Sequence, residues 1–163
     1  ALATRDMDLL WDTRKRIVFS TQLARTDSSM LGVLKKVDST FRIRRSQKYT
    51  AVNKDGFEVD IIRRERAGDD PHPIKLSDED EDFWVVQARR ASVLLDSPGY
   101  SAVIVASNGT MARMNAVQPA TFVAFKRWLA ARPEREARKR RRDALQADAV
   151  QVLLETYLPQ LQV

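Results

Sequence analysis

The chain opens on an alternation. In Arg5–Trp11 the apolar residues Met7, Leu9 and Trp11 occupy every second position, with Asp6 and Asp8 between them. Period two puts each set on its own face of a strand. In a helix the two carboxylates would stand about 200° apart and share nothing. Residues 21–37 move to helical spacing, with Leu23, Met30, Leu31, Leu34 and Val37 as the apolar side and Lys35 and Lys36 in the last turn. Gly32 is the weak position of that helix. Residues 41–64 return to strand. Phe41-Arg-Ile-Arg alternates, Tyr49-Thr-Ala-Val is rich in β-formers, and Asn53-Lys-Asp-Gly56 supplies turn residues that tolerate positive φ. Phe57, Val59 and Ile61 then share one face, and Glu58, Asp60 and Ile62 the other. A hairpin over 48–64 is predicted.

Residues 65–82 are polar, carry Gly68, Pro71 and Pro73, and read as a loop. Ser77 with Asp80 fits a capping box for a helix over about 79–96, stopped by Ser97-Pro-Gly99. Tyr100–Ala106 and Met111–Val117 read as strands joined at Asn108-Gly109. Thr121–Ala131 reads as an amphipathic helix whose Phe122, Phe125 and Trp128 are expected in the core. Pro133 interrupts it. A long basic helix follows over about 134–157, with Leu145, Ala149, Val152 and Leu153 at core spacing. There is no internal repeat and no low-complexity linker.

Composition narrows the chemistry. At 163 residues and 44% apolar, the chain suits one domain, or one domain with a helical appendage, and is not disordered as a whole. No apolar run approaches the about 20 residues of a membrane span. Arg5, Asp6 and Asp8 break any secretory apolar region at the start. No membrane partner is expected, and the expected location is cytoplasmic. There is no cysteine, so no disulfide, thiolate metal site or Cys nucleophile. The one histidine, His72, lies between two prolines and reads as an exposed loop residue. A net charge of +6 favours an anionic partner such as a nucleotide or nucleic acid.

Asp6 and Asp8 on one strand face, backed by apolar residues, make a hard-oxygen arrangement suited to Mg²⁺ or Mn²⁺. The same spacing recurs at Asp78, Asp80 and Asp82, but in an acidic run without strand character, and reads there as a solvated helix start. Asp60 is the third acid of interest, because a charge in the middle of an apolar strand needs a cation or a strong partner. If its strand lies beside that of Asp6 and Asp8, three carboxylates converge, and two divalent ions could clamp a transferring phosphoryl group. Pairing of Asp60 with Arg42, Arg44 or Arg63 across the sheet is the competing reading.

The run Ala3-Thr-Arg-Asp-Met-Asp-Leu-Leu-Trp11 resembles the metal-binding Asp-x-Asp segment of the polymerase-β-type nucleotidyltransferase superfamily. Gly56-Phe-Glu-Val-Asp60-Ile-Ile looks like the strand carrying that superfamily's third acid. Gln118-Pro-Ala-Thr-Phe-Val-Ala-Phe-Lys126 and Arg142-Asp-Ala-Leu-Gln-Ala147 resemble two later segments, a Pro-containing turn into a Phe–Lys helix and a basic helix with Arg-Asp-x-x-Gln-Ala. Four matches in order resemble the GSU-type bacterial nucleotidyltransferase-like family. The resemblance implies an α+β fold, a mixed sheet flanked by helices. A catalytic core would span 1–117 and a C-terminal helical region 118–163. It implies that Asp6 and Asp8 bind both metals and the nucleoside triphosphate. Asp60 would bind the catalytic metal and help deprotonate a hydroxyl acceptor, which attacks the α-phosphorus in line and releases pyrophosphate. Thr4, Arg5 and Lys126 are the implied nucleotide-binding residues. The superfamily's Gly-Ser or Gly-Gly phosphate turn is expected upstream of Ala1.

Nine Lys/Arg and three Asp/Glu fall between Lys126 and Asp143. Arg138, Lys139, Arg140, Arg141 and Arg142 cover more than one helical turn, so they cannot all face one ligand. They read either as a solvated helix face, partly offset by Glu134 with Arg138, or as phosphate contacts to nucleotide or nucleic acid. Lys126 reads either as a triphosphate ligand or as a lysine lying along Phe122 and Trp128. The rivals to a transferase are a non-catalytic module binding nucleic acid or protein through the basic helix, and a toxin–antitoxin component of the same fold.

Overall fold

The computed structural model describes residues 5–12, 29–66, 68, 73–77 and 80–161. His72, Thr4, Asp78 and residues 21–28 of the first expected helix lie outside the described residues. Packing divides the chain after Ser92 into two compact units, each with its own core.

In the first unit, β4 (Glu58–Arg63) is the spine of a six-stranded mixed sheet. β1 (Asp6–Trp11) runs parallel to it along its full length, from Asp6 opposite Glu58 to Trp11 opposite Arg63. Two strands share the other edge. β3 (Gln47–Val52) pairs antiparallel as far as Thr50 opposite Asp60. β6 (Trp84–Gln87) pairs parallel from Val86 opposite Ile62. β2 (Arg42–Arg44) lies outside β3, and β5 (Ile74–Lys75) outside β6. The fold is α+β with a mixed sheet, as the resemblance implied. The period-two patterns decide its faces. Trp11, Ala51, Val59, Ile61 and Val85 are buried on one side together with Leu31, Phe41 and Phe83. The intervening positions of β1 and β4 carry the carboxylates to the opposite side.

The hairpin over 48–64 forms as expected. The Asn53 carbonyl Oδ1 accepts from the backbone N–H of Asp55 (3.0 Å) and Phe57 (2.8 Å), and Gly56 takes φ +77°, which costs a glycine little. Asn53 Nδ2 donates to Asp38 Oδ2 at 2.9 Å. Asp38 also accepts from the Thr40 hydroxyl (2.7 Å) and backbone N–H (2.9 Å), so one carboxylate ties the helix end, the approach to β2 and the hairpin turn. The Thr40 hydroxyl, the Thr40 amide, Asn53 and the charge of Lys54 hold its carboxyl below the usual range against a smaller opposing effect of burial. A carboxylate with a depressed folded-state pKa contributes stability above its unfolded value and loses it as pH falls through the folded one. The difference in Tm between wild type and Asp38→Asn is therefore expected to be largest near neutral pH. It should close below the ordinary carboxylate range, as thermal melts across pH will show.

The first helix among the described residues, α1 (Met30–Val37), starts where Ser29 caps it, its Oγ accepting from Gly32 N–H at 3.0 Å. Leu31 is buried, but Val37 is 82% exposed and not part of the apolar side expected of it. Asp82 corrects the reading of the acidic run as a solvated helix start. It is buried, and its carboxylate accepts from the N–H of Met30 (3.2 Å) and Leu31 (3.0 Å) and from the Ser77 hydroxyl (2.6 Å). It caps a helix whose bonded residues lie 52 and 51 positions earlier in the chain, which no local pattern could indicate.

The expected helix over 79–96 is not formed. Its first half is β6, with Phe83 and Val85 buried in the sheet core, and its second half shrinks to α2 (Ala91–Leu95). The β-branched pair Val85-Val86 finds a parallel partner in β4, and Arg90 at φ +58° reverses the chain before α2. The capping-box serine is engaged by Asp82 instead. The expected loop over 65–82 also contains β5.

The second unit holds a two-stranded hairpin, β7 (Gly99–Val105) with β8 (Met111–Val117), turning at Gly109 with φ +84°. It also holds two antiparallel helices, α3 (Pro119–Ala130) and α4 (Ala137–Thr156), and a short 3₁₀ turn, Pro159–Leu161. Pro119 opens α3, where a missing N–H costs nothing. The buried stripe of α4 is Asp143, Ala147 and Leu154, with Val150 packed against it and Val123 opposite. The expected core set of α4 is overturned at Leu145, Val152 and Leu153, which are about half exposed. The physical reason is the small, narrow contact between two helices, which buries one residue per turn and leaves the flanks in solvent. For the same reason Phe122, Phe125 and Trp128 are only half-buried. Phe125 stacks on Trp128 with ring centroids 5.8 Å apart, and Arg132 covers Trp128 at 4.2 Å. Glu134 precedes α4 and lies 3.9 Å from Arg132.

Candidate active site

Parallel strands in register present opposite residues on the same side of a sheet. Asp8 stands opposite Asp60, and Asp6 opposite Glu58. Asp6, Asp8, Glu58 and Asp60 therefore share one face, on the two strands expected to be neighbours. Asp6 and Asp8 are exposed and Asp60 is half-buried. Thr50, opposite Asp60 on β3, donates its hydroxyl to Asp60 Oδ1 at 2.5 Å.

Burial pushes the Asp60 carboxyl above the usual carboxylate range. The Thr50 hydrogen bond works against that shift, the charges of Glu58 and Asp6 add to it, and Arg44 partly relieves it. The competing reading put an arginine on Asp60. Of its three candidates, Arg42 is exposed on β2 opposite Val52, and Arg44 instead pairs with Glu58 and donates to Gln47 Oε1 at 2.8 Å. Arg63, at an odd position of β4, is fully buried on the core side. Arg44 and Glu58 neutralise each other at the rim of the carboxylate face.

The other sequence-derived residues divide between the two units. Arg5 is exposed and donates from its guanidinium to the Asp55 backbone oxygen at 3.1 Å. Its own carbonyl accepts from Glu58 N–H at 2.8 Å, extending the β1–β4 pairing. Lys126, in the second unit, donates to Asp143 Oδ1 at 3.1 Å, while Arg135 Nε donates to Asp143 Oδ2 at 2.6 Å. Its ammonium also lies 5.4 Å from the Phe122 ring. Arg138, Lys139, Arg140 and Arg141 wind around the start of α4, with Lys139 within 3.6 Å of Glu136.

Reading the sequence missed Glu58 and Thr50 as parts of the carboxylate face and gave Arg44 to Asp60 rather than to Glu58. Glu58 was visible as the even-position neighbour of Asp60. Thr50 was not, because its placement depends on strand register across a five-residue turn.

Metal chemistry can be tested against this donor set. Mg²⁺ takes oxygen ligands and is usually held by one or two carboxylates, with phosphate oxygens and water completing the shell. Two exposed carboxylates and a half-buried third, all oxygen donors, fit that requirement. Among the described residues, no three His, Cys, Asp or Glu side chains are grouped to hold an ion by themselves. A metal here would complete its shell with oxygens from a substrate and from water.

A mixed α+β sheet with an Asp-x-Asp strand beside a third acid is of nucleotidyltransferase type. A family model described as Nucleotidyltransferase matches residues 1–163, and the chain belongs to that family. No curated protein and no solved structure matches it. Among the described residues, no helix is long and apolar enough to cross a membrane.

Proposed function

We propose that the chain transfers a nucleotidyl group from a nucleoside triphosphate to a hydroxyl acceptor, with Mg²⁺ or Mn²⁺ bound between Asp6, Asp8 and Asp60 on one side and the triphosphate's own oxygens on the other. The carrying observation is the register that sets Asp8 opposite Asp60 on one face, with Asp60 bonded to a threonine rather than to an arginine. The acceptor oxygen forms a bond to the α-phosphorus, the α–β anhydride bond breaks, and pyrophosphate leaves. A bound cation supplies charge that offsets the negative charge of the phosphates. The exposed Asp6 and Asp8 offer it oxygens. Asp60 receives the acceptor's proton. Thr50 holds its Oδ1, which leaves Oδ2 for that task, and burial makes the carboxylate a better base than one in water. Lys126 already engages Asp143, so this reading rests on the three carboxylates without it.

The acceptor is a molecule bearing a hydroxyl, with nucleic acid and protein as the two classes to try. The test is calorimetric binding of a non-hydrolysable nucleoside triphosphate with and without Mg²⁺. Wild type is expected to need the metal, and Asp8→Asn to bind at least about tenfold more weakly with an unchanged Tm. Binding that ignores both metal and Asp8, yet collapses when Arg140 and Arg141 become alanine, would place the function on α4 instead.

A further inference from the structure

The carboxylate face continues past Asp60 to a fork. β3 follows the far edge of β4 up to Thr50, and β6 takes over at Val86. Lys48 lies two residues before Thr50 and Trp84 two residues before Val86, so both fall on the carboxylate side where the strands diverge. There the Lys48 ammonium sits over the Trp84 ring, 6.0 Å from its centroid. Lys75, opposite Trp84 on β5, lies 3.8 Å from the fully exposed Asp80.

Two features distinguish this pair from packing. Phe83 and Val85, on either side of Trp84, are buried on the core side, so the indole is turned away from the core its neighbours build. Lys48 is exposed, and among the described residues it meets no carboxylate, only the ring. An exposed ammonium resting on a half-buried ring, 6.0 Å from its centroid, is weakly held and exchangeable. A planar base can take the place of the ammonium on the indole, and a phosphate can take the ammonium. Both belong to one ligand, a nucleotide.

We propose that Trp84 and Lys48 form a nucleotide-recognition subsite on the carboxylate face, the indole stacking on a nucleobase and the ammonium leaving the ring to pair with phosphate. The inference rests on the transferase reading for its place in catalysis, but not for the binding itself. The nucleotide is either the donor triphosphate or the terminal unit of a nucleic-acid acceptor.

The test measures full-chain binding of two probes. The first is the set of α,β-methylene nucleoside triphosphates with Mg²⁺, and the second a short mixed-sequence single-stranded RNA without metal. Lys48→Gln, Lys48→Arg, Trp84→Leu and Trp84→Phe are compared with wild type. If the donor occupies the subsite, Lys48→Gln and Trp84→Leu weaken the triphosphate analogues about tenfold, and the Arg and Phe variants restore most of it. If the acceptor occupies it, the RNA weakens to that extent and the analogues do not. In that case Lys48→Gln also flattens the salt dependence by roughly 0.7 per lost phosphate contact. Lys48→Gln alters an exposed side chain and should fold even if Trp84→Leu does not. Unchanged binding of both probes by folded Lys48→Gln overturns the subsite. Asp8→Asn, run in parallel, reports on the transferase reading. Loss through Lys48 with no effect of Asp8 would keep the subsite and remove the carboxylates.

Discussion

Asp60→Asn is expected to lower nucleotidyl transfer by about a thousandfold while leaving the protein as stable as wild type, or more so. In the proposed reaction the substitution removes the group that would receive the acceptor's proton and one oxygen donor for a metal. The retained stability follows from the site. Asparagine keeps an Oδ1 to accept from Thr50, and it removes a charge that burial, Glu58 and Asp6 all disfavour. The sign of the pH dependence is set by that disfavour. With its folded-state pKa raised, Asp60 binds its proton more tightly in the native state than in the unfolded one. Wild-type stability therefore falls as pH rises from the ordinary carboxylate range through the raised value. The Tm of Asp60→Asn relative to wild type should climb across that window and level off above it. Asp60→Val provides the contrast. It strands the buried Thr50 hydroxyl and should cost about 1–3 kcal/mol. Thermal melts across pH and a pyrophosphate-release assay read the two effects separately. Transfer within tenfold of wild type in Asp60→Asn would remove Asp60 from the chemistry.

The largest effect on stability is expected at Asp143, in the second unit. Its carboxylate is fully buried and receives Lys126 and Arg135, whose side chains are 18% and 27% exposed. Replacing it with alanine leaves two partly buried cations facing each other with no anion between them. Removing one partner of a buried pair costs about 3–5 kcal/mol, a large share of the about 5–15 kcal/mol that holds a typical domain together. Asp143→Asn keeps an acceptor but no charge and should fall between. Adding Lys126→Met and Arg135→Met to Asp143→Leu should recover much of the loss, because a packed apolar cluster escapes the desolvation of three charges. Denaturant titrations of the three variants test this ordering. A loss in Asp143→Ala no greater than that of a typical surface substitution would show that the cluster does not hold the helices together.

How much of this was legible depends on the range of the interaction. The β1 alternation, the hairpin over 48–64 and the hairpin of 99–117 follow from period-two patterns and turn residues close in sequence. So does the assignment of Asp6, Asp8 and Asp60 to polar strand positions. The helix over 79–96 failed because a run such as Phe83–Val86 suits a buried strand or a buried helix equally, and only the vacant edge of β4 decides between them. The core of α4 failed because Leu145, Val152 and Leu153 supply apolar spacing without a surface to pack on.

Local pattern by itself determined which residues could form strands, which faces would be apolar and where an isolated carboxylate would demand explanation. Tertiary structure decided what answered each demand. It put Asp8 beside Asp60 by setting a parallel register, gave Asp60 a threonine and gave Arg44 to Glu58. It turned Asp82 into the cap of a distant helix and closed Lys126 and Arg135 on Asp143. The physical reason is common to all of these. A charged or polar group taken out of water must be matched by a partner at hydrogen-bonding distance. Sequence shows that the need exists, while the partner is chosen by whichever segment the fold brings within about 3 Å.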